Sequence, residues 1–159
     1  MSKIEVTLAK ALKRKNELVQ LINEKKTIIT RYNSHDSRNT PPFSVDAEHN
    51  NLRDLIVQLA ETKAAIAIAN TAIQPQLHLQ AELRSLCSFY DTVPAEEGVY
   101  DEHNYGSHAP IERTKVATLR ASDIVANKAK LQTQINELQD QIDAFNATTK
   151  IMIPVSNKL

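Results

Sequence analysis

The chain is short of cysteine, glycine, aromatic residues and net charge, and each shortage removes a class of protein. One cysteine in 159 residues excludes an intramolecular disulfide framework. Two glycines make a phosphate-cradling loop hard to build, and no nucleophile elbow, paired-Cys zinc motif or His-Glu-x-x-His pattern is present. With no Trp and 4% aromatic residues, the core must be built from Leu, Ile, Val and Ala, a palette that suits helices packed on helices. The 19 Lys+Arg balance the 19 Asp+Glu. That balance removes the diffuse attraction on which nucleic-acid and anionic-membrane binding draw, so neither is expected as a partner. No run approaches the roughly 18 uninterrupted apolar residues of a membrane span. Met1-Ser2-Lys3-Ile4-Glu5 carries no apolar block of the secretory kind, and the cytosol is the expected compartment.

What the chain has in quantity is helical periodicity. Ile4, Leu8, Ala11, Lys15, Leu18, Ile22, Lys25 and Ile29 step by four and three, predicting a helix over about 4–31. Asn33 to Pro42 then collects turn formers and two prolines, which end it. Ser44 or Asp46 can cap a second helix, about 46–73. Its stripe is Leu52, Leu55, Leu59, Thr62, Ile66, Ala69 and Ile73. The Ala64–Ala69 stretch is so uniformly small or branched that cover on more than one side is expected. Pro75 breaks the pattern before a third helix, about 76–90, with Leu79, Leu83, Leu86 and Tyr90 as its stripe. The clearest element is a fourth helix, about 122–146, carrying Ile124, Lys128, Leu131, Ile135, Leu138, Ile142 and Phe145 at heptad spacing.

Between these helices, 91–113 reads as the longest irregular stretch, holding both glycines and an acidic cluster. Val116–Leu119 and Lys150–Val155 are rich in residues that suit a strand. The expected fold is mainly α: one domain, a long-helix antiparallel bundle with coiled-coil-like packing, with room for a small two-stranded β element.

Three stretches carry a family likeness: Leu8-Ala9-Lys10-Ala11-Leu12, Ala81-Glu82-Leu83-Arg84-Ser85-Leu86, and the run from Leu138 to Thr149, Leu-Gln-Asp-Gln-Ile-Asp-Ala-Phe-Asn-Ala-Thr-Thr. With these the chain resembles a septicolysin-like helical family of bacteria that has no assigned activity. The resemblance implies a long-helix bundle and supplies no catalytic residue. The Pro41-Pro42 loop and the Asp101–Tyr105 loop depart from it.

The sharpest candidate for chemistry is Asp101, Glu102, His103 and His108, since His and carboxylates ligate first-row metals. Spacing in a glycine-containing loop does not fix ligand geometry, so a solvated acidic loop is the favoured reading and no cofactor is expected. Charge is also segregated: residues 1–38 carry nine Lys/Arg against four acids, and residues 91–112 carry six acids and no Lys/Arg. The two segments can meet within or between subunits, where complementary charge sets register, or remain separately solvated. Lys10, Lys13, Arg14 and Lys15 lack interleaved aromatics for stacking on bases. Cys87 is too far from His78 along a helix to be activated by it, and His35 and His49 read as surface residues.

Three long heptad stripes need more apolar cover than two antiparallel neighbours supply. A non-enzymatic structural or assembly protein follows, a homo-oligomer closing into a ring or running as a filament. Its expected seams are Leu52, Leu55, Leu59, Ile66 and Ile73 on one helix and Leu131, Ile135, Leu138, Ile142 and Phe145 on another. The 150–159 tail would add a strand to a neighbouring subunit through Ile151, Ile153 and Val155. The alternatives are an adaptor or chaperone-like module that binds another protein, and a metal-binding protein using the 91–112 loop.

Overall fold

The computed structural model describes residues 2–102 and 111–155. The fold is mainly α. Along the chain run β1 (Ser2–Thr7), α1 (Leu8–Tyr32), α2 (Val45–Asn70), α3 (Gln74–Tyr90), β2 (Gly98–Glu102), β3 (Ile111–Lys115), α4 (Ala121–Thr148) and β4 (Lys150–Val155). They fall into two compact units, one made of 1–74 with 142–159 and the other of 75–141.

In the first unit, the helix expected from Ile4 begins only at Leu8. Lys3-Ile4-Glu5-Val6-Thr7 alternates polar and apolar residues and is rich in β-branched side chains, which favours a strand. Thr7 then caps α1, its hydroxyl accepting the Lys10 N–H at 3.4 Å. β1 pairs antiparallel with β4, Ile4 opposite Ile153 and Val6 opposite Ile151. The tail strand thus finds its partner in its own chain, and the expected docking on a neighbour is replaced by this pairing. Leu8 N–H donates to Thr149 O at 2.8 Å, in the same register. That bond makes Pro154, opposite Lys3, one of the non-hydrogen-bonded positions, where the backbone N faces away from β1, so the N–H that proline lacks deprives no β1 carbonyl of a partner.

The sheet leans on the helices through a cluster of Leu8, Ala11, Ile66 and Ile153, with Val6, Leu12, Ala69, Phe145 and Ile151 packed against it. Further along the α1–α2 hairpin, Leu18 and Ile22 are buried. So are Gln58 and Thr62, whose Oε1 and Oγ1 have no hydrogen-bond partner. Lys25 and Glu48 pair at 2.7 Å, and Tyr32 meets Phe43 with ring centroids 5.6 Å apart. Ser44 caps α2, accepting from Ala47 N–H at 3.3 Å, with Asp46 and Glu48 in the first turn. Expected cover on more than one side of Ala64–Ala69 is not provided by the described residues: Ile66 is buried, and Ile68 is 76% exposed.

In the second unit, α3 meets α4 through a polar seam. Gln80, 6% exposed, donates to Ile135 O at 3.3 Å and Gln139 Oε1 at 3.0 Å, and Arg84 donates to the same Oε1 at 3.3 Å. On α3 Gln80 is buried, with Leu83, Cys87 and Tyr90 half-buried on the same side, so two members of the expected stripe, Leu83 and Tyr90, lie inward. Leu79 and Leu86 face outward, 51% and 39% exposed. On α4, Ile124, Ile135 and Leu138 are buried at the expected spacing. The 91–113 stretch holds regular structure after all: β2 pairs antiparallel with β3, from Gly98 opposite Lys115 to Glu102 opposite Ile111. Gly98 opens β2 at φ 141, a conformation that only glycine adopts without strain. The strand expected at Val116–Leu119 does not form. Val116 is 78% exposed there, and a strand needs a partner to satisfy its backbone.

Candidate functional site

Of the four candidate metal ligands, Asp101 and Glu102 lie on β2, while His103 and His108 fall outside the described residues. No group of three metal-ligating side chains exists among the described residues. Four carboxylates of the 91–112 segment are held in ion pairs. Glu102 pairs with Arg113, and Asp91 with Lys128. Glu96 and Lys115 lie 2.9 Å apart, and Glu97 and Arg120 3.6 Å. The cations that answer the acidic segment thus come from residues 113–128, immediately after it.

The ammonium of Lys115 holds the Glu96 carboxyl below its ordinary pKa, by its hydrogen bond first and its charge second. The same pairing raises Lys115, and nearby Tyr100 adds a smaller upward push. Lys128 is raised by its hydrogen bond to Asp91. In the first unit, Asp36 is lowered by the Arg38 guanidinium 2.6 Å away. These are salt-bridge effects at the surface, and none poises a group near neutrality for proton transfer.

Cys87 is half-buried. His35 is exposed, with Nδ1 3.2 Å from Tyr32 O, and His49 is exposed. The grooves are open ones. One of about 690 Å³ runs along α1 past Asn16, Val19, Gln20, Asn23 and Ile28, and one of about 320 Å³ has Leu79, Leu83 and Leu138 as its apolar floor and Gln134, Glu137 and Gln141 as its rim.

The expected seam residues divide into two groups. Ile66, Ile73, Ile135, Leu138, Ile142 and Ile153 are buried in the chain and present no surface to a second subunit. Leu52, Leu55, Leu59, Leu131, Phe145, Ile151 and Val155 are half-buried. The surface that remains open is a different one. On α2, Ile56, Val57, Ala60, Ala64, Ala67 and Ile68 are all exposed, on the side away from Gln58, Thr62 and Ile66. The β2–β3 hairpin is exposed almost throughout, with Val99 at 62%. The signal for the α2 face was present as small and branched residues outside the main stripe; the hairpin's was the alternation in Ile111-Glu112-Arg113-Thr114-Lys115. No helix among the described residues is long and apolar enough to cross a membrane. Neither a family model, nor a curated protein, nor a solved structure matches the chain.

Proposed function

We propose that this protein is a self-associating helical assembly subunit, a homo-oligomer whose copies meet along α2. The observation that carries the reading is that α2 is apolar on two sides and the chain covers one. A helix apolar all round is normally buried, and a second copy's α2 offers a matching face. Ala60, Ala64 and Ala67 permit close approach of two helices, with Val57 and Ile68 as the larger knobs. Glu61 and Lys63 flank this face on opposite rims, carry opposite charges and have no ion-pair partner among the described residues, so copies packed parallel can answer each other at the rim.

Light scattering over a range of concentrations tests this. The expected result is a mass above 17.8 kDa that falls toward the monomer in Ile68→Glu, a change at an exposed position that leaves the fold intact. A wild-type monomer at every concentration would sink the proposal. The groove floored by Leu79, Leu83 and Leu138 favours a second reading, an adaptor that seats a partner's amphipathic helix. That reading predicts a monomer which binds such a helix, and loses it in Leu79→Glu.

A further inference from the structure

The described residues form two two-stranded sheets, of which β1–β4 is anchored and β2–β3 is not. β1–β4 places Ile153, 2% exposed, in a core with residues of α1 and α2, and ends its β4 edge with the buried Pro154. β2–β3 has neither device. Every residue of β3 is exposed, as are all of β2 except Glu102, which is half-buried. Neither strand contains a proline. A lone two-stranded hairpin is marginal in water, and independent stability takes a third strand or an apolar surface to pack on. Unprotected edges are also what natural sheets ordinarily avoid.

Charge distinguishes the two edges. β2, Gly-Val-Tyr-Asp-Glu, carries two carboxylates and no cation; β3, Ile-Glu-Arg-Thr-Lys, carries two cations and one carboxylate. Inside the hairpin Asp101 stands directly opposite Glu112, a like-charged cross-strand pair that works against the sheet. Neither has an ion-pair partner among the described residues. Arg113 with Glu102, and Lys115 with Glu96 and over the Tyr100 ring at 5.3 Å, hold the remainder.

We infer that the hairpin is completed by strand addition from a second copy of this chain, the β3 edge of one hairpin adding to the β2 edge of the next. The inference rests on the self-association proposed above and gives it a second contact. Charge complementarity selects the occupant and its orientation. A β2–β2 junction would gather four carboxylates and no cation, and a β3–β3 junction four cations against two carboxylates, whereas β3 on β2 brings Arg113 and Lys115 to the edge that bears Asp101 and Glu102. Such a contact is head-to-tail. It uses two different surfaces of each copy, and so generates a ring where the rotation closes and a filament where it does not. Backbone hydrogen bonds of the added strand supply the contact, and the charges set its direction.

The test uses the full chain in a Cys87→Ser background, which removes the native cysteine. Val99→Cys and Thr114→Cys, both at exposed positions of the hairpin, are produced separately and together, then mildly oxidised, so that a disulfide joins only cysteines on adjoining strands, within about 7 Å Cα to Cα. The expected result is a cross-linked pair from the co-produced proteins and none from either alone. A product from Val99→Cys alone, or from Thr114→Cys alone, would show like edges meeting and overturn the head-to-tail junction. No product in any sample from protein that light scattering shows to be oligomeric would overturn the hairpin contact and leave the α2 contact standing. A monomer throughout would remove both.

Discussion

Thr62→Val should make the protein more stable, although it replaces a residue in the middle of a packed helical pair. Thr62 is 0% exposed, and its Oγ1 has no hydrogen-bond partner. A buried hydroxyl left unpaired costs roughly 1–3 kcal/mol, because it has given up water and received nothing. Valine keeps the β-branched shape, so helix propensity changes little. The added methyl group contributes on the order of 0.8 kcal/mol of apolar burial. Some of the threonine cost is offset by its adaptable hydroxyl, and a net gain of about 1–2 kcal/mol is expected, a rise in melting temperature of roughly 3–6 °C for a chain of this size. Urea unfolding followed by circular dichroism reads the effect, at one fixed protein concentration because association adds its own stabilisation. The midpoint should rise with the slope unchanged. Thr133→Val is the control: Thr133 is exposed, with its hydroxyl on Ala129 O at 3.2 Å, and should change stability by no more than about 0.5 kcal/mol. A lower midpoint for Thr62→Val would refute the argument, since it would mean that the hydroxyl is satisfied.

Other substitutions separate the two units. Leu18→Ala should cost roughly 3 kcal/mol in the same unfolding assay by opening a cavity in the first unit, where Leu18 is fully buried. Gln80→Leu, which removes the donors to Ile135 O and Gln139 Oε1, should cost about 1–2 kcal/mol and be seen as faster amide exchange in α3 and α4. Ser44→Ala should cost about 1 kcal/mol through loss of the α2 cap, and added urea should fray the start of that helix first. The pH response of the hairpin follows from Glu96 and Lys115. The lowered Glu96 contributes fully above its unfolded pKa and loses its contribution as pH falls through the depressed folded value. The raised Lys115 contributes fully below its unfolded pKa and loses its contribution as pH rises through the elevated folded value. In a His103→Gln, His108→Gln background, which removes the imidazoles nearby in the sequence, amide shifts of Val99 and Thr114 should therefore be flat across neutral pH and move at both extremes; a transition near neutrality in that background would contradict the pairing.

The long helices were legible because their burial follows a period that any reader can count. The stripe of α4 lies where the spacing of Ile124, Ile135, Leu138 and Ile142 puts it. What periodicity could not convey is the difference between an apolar side chain and a buried one. On α3 a glutamine takes the inner position because Gln139 and the Ile135 carbonyl await it, and the leucines beside it turn outward. The strand β1 was hidden by Ile4 and Leu8, which suit a helical stripe as readily as a strand; its identity depends on a partner about 150 residues away. The hairpin was masked by charge, since an acidic segment rich in turn formers looks irregular until its cations at 113–128 are placed beside it. Of the candidate surface, the apolar excess of Ala64–Ala69 was plain, and which side of it stays open was decided only by tertiary packing.

The pairing of residues 2–7 with 150–155 sets the order in which this protein can fold. Synthesis delivers β1 before the 75–141 stretch and β4 after it, so the first unit stays incomplete while all of 75–141 is made. That intervening stretch is contiguous and contains its own partners, Gln80 with Gln139 and β2 with β3, so it can organise earlier. Closing so large a loop costs little in stability, because the entropic penalty grows only logarithmically with length, but it slows the final step. During that interval Leu8, Ala11 and Ile66 lack the cover of Ile153, and β1 presents an unpaired edge. The nascent chain is thus exposed to misassociation until β4 emerges.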